Sequence, residues 1–185
     1  GFLCGINPFD EPNVQESKDR TKALLTHYAQ AGQFPDEGPP GWSDGELALY
    51  GTTGSAQRGS LAQCLSDFFT RLRPSDYIAL LSFLPRTPAL DSAMAGLRWR
   101  LGDRLGRATM LGFGPRYLHS TGQLYKGGPD AGLFLLFTGD EPEDLPIPGE
   151  PFSFGVLKHA QALGDFQAMQ ERGRRILRIH LRGHL

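Results

Sequence analysis

The densest group of chemically capable side chains lies between Leu111 and Pro129, in the run LGFGPRYLHSTGQLYKGGP. Arg116, His119, Ser120, Thr121, Gln123 and Lys126 are set there among glycines. Cations, hydroxyls and bare backbone N–H groups together suit a phosphate or the hydroxyls of a sugar. The plainer alternative is a structural loop pinned by side-chain hydrogen bonds, with His119 buried and satisfied. A second stretch, GINPFDEPNVQESK from Gly5 to Lys18, opens a helix with Asp10 as cap and Pro12 in the first turn. On residue type alone, Lys18 of that helix is a solvated cation. Gly51-Thr52-Thr53-Gly54-Ser55 could cradle a phosphate, but it lacks the Gly-Lys-Ser/Thr ending of a nucleotide-binding loop. His180 and His184 are four apart on a strand-like end broken by Gly183, which argues against a shared metal. There is no Gly-x-Ser-x-Gly, no dinucleotide-binding glycine pattern and no Cys/His pair set for nucleophilic catalysis.

These side chains need elements to hold them. Phe2 to Ile6 reads as the end of a buried strand, and a helix follows to about Ala31, stopped by Gly32. Gly32, Pro35, Gly38, Pro39, Pro40 and Gly41 mark a loop, Glu46 to Tyr50 a short strand, and Ser60 the cap of a helix to Leu72. From Pro74 onward strands and helices alternate. Tyr77–Leu84, Ala108–Phe113, Leu133–Phe137 and Arg175–Leu181 read as strands, the first a continuous apolar run suited to burial on both faces. Pro88 opens a helix to Leu105; Gly114–Asp130 reads as a long loop. One or two helices fall between Ser153 and Glu171, with Asp165 capping the second. The pattern predicts an α/β fold: a layered, mainly parallel sheet flanked by helices, preceded by an N-terminal helix arm carrying Lys18. It divides into residues 1–31 (strand end and lysine helix), 32–59 (Gly/Pro-rich linker) and 60–185 (α/β domain).

Bulk properties narrow the function classes. The chain has 185 residues, a formal net charge of −1, 39% hydrophobic and 21% charged residues, so no broad nucleic-acid or membrane surface is expected. No apolar run approaches the roughly 18–20 residues of a membrane span. Cys4 and Cys64 have no paired spacing and read as buried free thiols of a reducing cytoplasm. The arginines at 172, 174, 175, 178 and 182 read as a solvated face or a contact to the acidic Asp140–Asp144 loop. A chain opening abruptly on Gly1 and a strand-like Phe2-Leu3-Cys4 is expected to be a fragment with partner strands upstream.

Both stretches carry a resemblance. Gly5–Lys18 resembles the N-x-F-D-Q-x-G-V-E-x-x-K run of phosphoglucose isomerases, with Glu11, Asn13 and Gln15 at the Gln, Gly and Glu of that pattern. Leu111–Pro129 resembles G-P-R-F-L-H-S-T-G-Q-L-H-K-G-G-P in the C-terminal extension of phosphoglucose isomerases fused to a transaldolase, with Tyr125 at the second His. The likeness continues weakly through residues 147–149 and 160–165. It implies a C-terminal fragment of an isomerase of glucose 6-phosphate and fructose 6-phosphate, an enzyme of glycolysis and gluconeogenesis. Lys18 would be the catalytic, ring-opening lysine; Glu11, Arg116, His119, Ser120, Gln123 and Lys126 would be candidates to bind the substrate. The Glu base and the His of that family are expected upstream, so the chain alone is expected to be inactive. The implied partners are a phosphosugar, the upstream isomerase/transaldolase portion of the same polypeptide and a second copy in a homodimer. No cofactor, metal, nucleic acid or membrane is implied, and the location would be cytoplasmic. The alternative is a non-catalytic phosphosugar-binding or structural/interaction domain of the fusion.

Overall fold

The structure, a computed structural model, describes all residues except 6, 8, 52–58, 142 and 184–185. Helix α1 (Pro12–Ala31) is followed by β1 (Trp42–Ser43), β2 (Leu47–Gly51), α2 (Leu61–Phe69), β3 (Tyr77–Ser82), α3 (Pro88–Leu105) and β4 (Thr109–Phe113). A 3-10 turn, Arg116–His119, leads to α4 (Gly122–Gly127), β5 (Gly132–Gly139), α5 (Phe154–Glu171) and β6 (Arg175–Leu181). The phosphate-cradle candidate at Thr52–Ser55, and His184 of the histidine pair, lie outside the described residues.

Strands run in the order β1-β2-β6-β5-β3-β4; β6, β5, β3 and β4 are parallel, and β2 joins β6 antiparallel from Leu47↔Leu181 to Gly51↔Leu177. This is the expected mixed α/β architecture with a mostly parallel sheet. Residues 42–51, within the stretch expected to link two parts, instead extend the sheet. Trp42 also anchors that stretch, its Nε1 donating to the Gly59 carbonyl at 2.8 Å.

Side chains alternate across the sheet, as a two-residue repeat requires. Ala79, Leu81, Phe134, Leu136 and Ile176 face α1, α4 and α5, where Leu24, Tyr125, Leu163 and Phe166 complete one core. Ile78, Leu80, Leu133, Leu135 and Leu177 face α2 and α3, meeting Phe68, Met94 and Cys64 in the other. Two cores explain why β3 and β5 are apolar along most of their length, while β6 carries Arg175, Arg178 and His180 among its apolar residues.

Local signals end the helices where the chain demands it. Ser60, Thr87 and Ser153 each accept a backbone N–H at the start of α2, α3 and α5. Gly32 closes α1 in the left-handed conformation. At the start of α1 the expectation fails: the cap position is Glu11, not Asp10, and makes no side-chain cap bond. Asp10 accepts from Asn7 Nδ2 instead, at 2.7 Å. Phe2–Cys4 is a 3-10 turn rather than a buried strand, with Phe2 99% and Leu3 96% exposed. Cys4 is exposed as well, where a buried thiol was expected; Cys64 is buried, and neither forms a disulfide among the described residues.

Helix α1 lies antiparallel along α5. Their closest approach is at Gly164, where an added Cβ would stand 3.0 Å from Thr21 Oγ1 and 3.1 Å from Thr21 N. Gly164→Val is therefore expected to push α1 off α5 and lower unfolding stability by roughly 1–3 kcal/mol, read from urea melts. An unchanged midpoint would show that α1 is not held against α5 at this point.

Candidate functional site

One buried carboxylate ties the two motif-bearing stretches together. Asp165, in the middle of α5 and 0% exposed, accepts from Lys126 Nζ (α4) at 2.5 Å, from Tyr117 Oη at 2.5 Å and from Ser17 Oγ (α1) at 3.3 Å. Burial, then the Asp165 charge, pushes the Tyr117 phenol well above its ordinary value, so it stays a donor. Asn13 adds a second tie: its N–H donates to Gln123 Oε1 at 3.1 Å, and its side-chain amide meets that of Gln123 at 2.7 Å. Outside this core, Arg20 joins Glu16 and Glu171, and Arg172 joins Glu16 at 2.7 Å. The Arg172 bond, with help from Arg20, holds the Glu16 carboxyl below its usual range. Helix α1 is thus pinned in rotation, and the face carrying Lys18 is fixed.

That face forms one wall of a cleft of about 620 Å³. Lys18, Lys22 and Leu25 come from α1, Leu118 and His119 from the turn after β4, and Glu150 and Phe152 from the loop after β5. The cleft therefore sits beyond the C-terminal ends of parallel strands, where α/β proteins bind ligands. Lys18 and Lys22 are exposed and form no ion pair among the described residues, and His119 has no recorded side-chain partner there. With Glu150 as the carboxylate in the lining, the balance is cationic, over apolar ground from Val14, Leu25, Leu118 and Phe152. Such a cleft can hold an anionic group against the lysines and stack the carbon side of a small molecule.

The candidates from sequence separate into three groups. Lys18 and His119, distant in sequence, line this cleft together. Glu11 lies at the start of α1 beside a separate depression with Phe9 and Gln15. Arg116 is exposed on its 3-10 turn, and Ser120 Oγ donates to the Tyr117 carbonyl at 3.3 Å. Gln123 is used by Asn13. Lys126, expected to meet substrate, is 1% exposed and committed to Asp165, because α4 turns it onto α5 rather than outward. The expected long loop 114–130 is in fact a 3-10 turn and a short helix. Tyr125, at the position where the resembling pattern has a His, packs in the core against Phe134, its Oη 3.8 Å from Met110 Sδ.

Lys22, Glu150 and Phe152 were not singled out from sequence. Lys22 had a signal, since positions four apart share a helix face and Lys18 was already a candidate. Glu150 and Phe152 had none, because they reach the cleft only through the tertiary course of the 140–153 loop.

Four arginines of the C-terminal region are paired with carboxylates outside Asp140–Asp144, Arg172 on an exposed face and Arg175 and Arg178 inside the fold. Arg172 meets Glu16, Arg174 and Arg175 meet Asp130, Arg175 also meets Asp76, and Arg178 meets Glu37 at 2.6 Å. Among the described residues no group of three or more His, Cys, Asp or Glu could hold a metal, and no helix is long and apolar enough to cross a membrane.

Fold and cleft together define a three-layer α/β protein with an open, cationic cleft at the carboxyl edge of its sheet. No family model matches the chain, and no curated protein does. Among solved structures the chain is similar to the crystal structure of a hypothetical protein from Thermus thermophilus, at 21% identity and a TM-score of 0.56. The likeness covers 65% of this chain and 33% of that one, so the chain spans about a third of that protein's length. At this identity it is a likeness of fold.

Proposed function

We propose that the chain is the C-terminal part of an aldose–ketose isomerase acting on glucose 6-phosphate and fructose 6-phosphate, of the kind fused to a transaldolase. Its contribution is the ring-opening Lys18. The observation that carries this reading is the meeting of Lys18 and His119 in one cleft, each from one of the two stretches that resemble that family.

In this reading the Lys18 ammonium hydrogen-bonds the ring oxygen of the cyclic sugar and gives it a proton as the bond from the anomeric carbon to that oxygen breaks. The anomeric hydroxyl gives its own proton to the resulting Lys18 amine as the carbonyl forms, which restores the ammonium. Lys22 and His119 favour the phosphate end of the substrate. Moving the proton between C1 and C2 through an enediol needs a base, and an ammonium is not one. That carboxylate belongs to the upstream portion, so the chain alone is inactive.

The test is a coupled assay of fructose 6-phosphate turnover, with the chain alone and with the upstream portion added. Activity is expected only in the mixture, and Lys18→Ala is expected to lower it about 10²–10⁴-fold. A mixture as active with Lys18→Ala as without it would overturn the role of Lys18. Association of the two portions without any turnover would favour the structural reading, for which the exposed Phe2, Leu3 and Phe9 supply apolar surface to be covered.

A further inference from the structure

A second cavity, of about 420 Å³, opens where the C-terminal ends of β3 and β5 separate, and it shares no lining residue with the Lys18 cleft. After β3 the chain passes into α3 on one face of the sheet; after β5, its parallel neighbour, it passes into α5 on the other. A crevice at such a point of divergence is where open α/β sheets accept small molecules.

Phe34 and Phe83 supply apolar walls, and Thr138, Asp140, His159 and His180 the polar groups. Thr138, His180 and Asp140 form a chain. His180 Nδ1 lies 3.0 Å from Thr138 Oγ1, and its Nε2 lies 3.2 Å from Asp140 Oδ1. With Asp140 an acceptor, Nε2 carries the hydrogen, and the threonine hydroxyl donates to Nδ1. His159 is different. Its ring is held between Phe34, at 4.8 Å, and His180, at 6.4 Å, yet neither nitrogen has a hydrogen-bond partner among the described residues. Neither is sealed away from solvent, so both remain available to the cavity. A half-buried imidazole with one donor and one acceptor unused, inside an otherwise satisfied network, is a place for a hydroxyl group.

The charges decide what kind of molecule carries that hydroxyl. Among the described residues that line it, Lys158 is the one lysine or arginine, and it is bound to Glu141. Asp144 accepts from Ser153 Oγ and from Gly155 N at 2.7 Å, and Asp140 from Gly183 N at 3.0 Å. No uncommitted cation is left to hold a phosphate or carboxylate, in contrast to the Lys18 cleft. Aromatic walls suit the C–H faces of a sugar, while imidazole and carboxylate suit its hydroxyls. We propose that this cavity is a second ligand site that takes an uncharged sugar or polyol, bound through the free nitrogens of His159 between Phe34 and Phe83. The proposal is independent of the isomerase reading and survives its failure.

The experiment follows the imidazole Cε1–H resonances of the isotope-labelled full chain while D-glucose, D-fructose, sorbitol and glycerol are titrated in turn. His159 and His180 signals are expected to shift saturably with at least one of them while His119 stays still. Inorganic phosphate is expected to move His119 and leave the other two unmoved. His159→Phe, which keeps the aromatic ring and loses both nitrogens, is expected to weaken binding about tenfold. Phe34→Leu serves as the second variant if the first loses its dispersed amide spectrum. No saturable shift with any of the four, binding undiminished in a folded variant, or saturation of the His159 and His180 shifts by inorganic phosphate instead, would each overturn the proposal.

Discussion

Replacing Lys126 with Met is expected to lower the unfolding free energy by roughly 3–5 kcal/mol, the cost of leaving a buried charge without its partner. Met occupies nearly the same volume, so little of that loss comes from a cavity. It comes from Asp165, which is 0% exposed and keeps only the Tyr117 and Ser17 hydroxyls. The double variant Lys126→Met with Asp165→Asn removes the stranded charge while leaving a carbonyl oxygen for those hydroxyls. It is expected to recover most of the loss. Denaturant unfolding of the wild type, both single variants and the double variant gives the coupling directly. Additive losses would show that Lys126 and Asp165 are stabilised separately by their surroundings. The same set bears on the cleft, because Ser17 precedes Lys18 and Tyr117 lies two residues before His119. A loosened Asp165 is expected to disturb both walls at once.

That buried ion pair also shows where sequence reasoning stopped. Of the four parallel strands, β3 and β5 were legible as short, nearly continuous apolar runs, which the two cores flanking the sheet require; in β6, Arg175, Arg178 and His180 interrupt the apolar residues. Helix α1 was legible to its last residue, since Gly32 follows Ala31 and ends it. Helix α4 was not. Gly122, Gly127 and Gly128 argue locally for a loop, and the segment is helical because Lys126 reaches Asp165, 39 residues away. Asp165 was read as the cap of a second helix after Gly164. Instead α5 is one helix from Phe154 to Glu171, and Gly164 is there for the close passage of Thr21. The arginines tell the same story: their acidic partners, Glu16, Asp76, Asp130 and Glu37, lie between 44 (174 to 130) and 156 residues away in sequence. Of the cleft, the sequence showed two polar corners: His119 through its place among polar side chains and glycines, and Lys18 only through the resemblance that its stretch carries. Its apolar ground and the fate of Lys126 depend on which face of α4 meets α5, and no local pattern carries that.

The stability of the fold is expected to fall by about 3 kcal/mol between pH 6.5 and pH 4 through His159 alone. Burial, reinforced by the nearby Arg178 charge, lowers the His159 imidazole from 6.5 to about 4. Below pH 6.5 the unfolded chain takes up a proton that the folded chain refuses, so each pH unit downward favours unfolding by up to about 1.4 kcal/mol. The effect is absent above that range and complete once the folded imidazole itself is protonated. His180, lowered for the same leading reason, adds in the same direction. The carboxylates of Glu16 and Asp76, held low by Arg172 and Arg175, give up their contribution only at more acid pH, below the ordinary carboxylate range. The two windows can therefore be told apart. Unfolding free energies measured at intervals across pH 4–7 are expected to be much flatter for His159→Gln than for the wild type. Below pH 4 the two curves are expected to run parallel, since the carboxylate contacts are common to both. Equal slopes above pH 4 would mean that the folded chain protonates His159 as readily as the unfolded one, and that its partial burial beside Phe34 does not disfavour the charged ring.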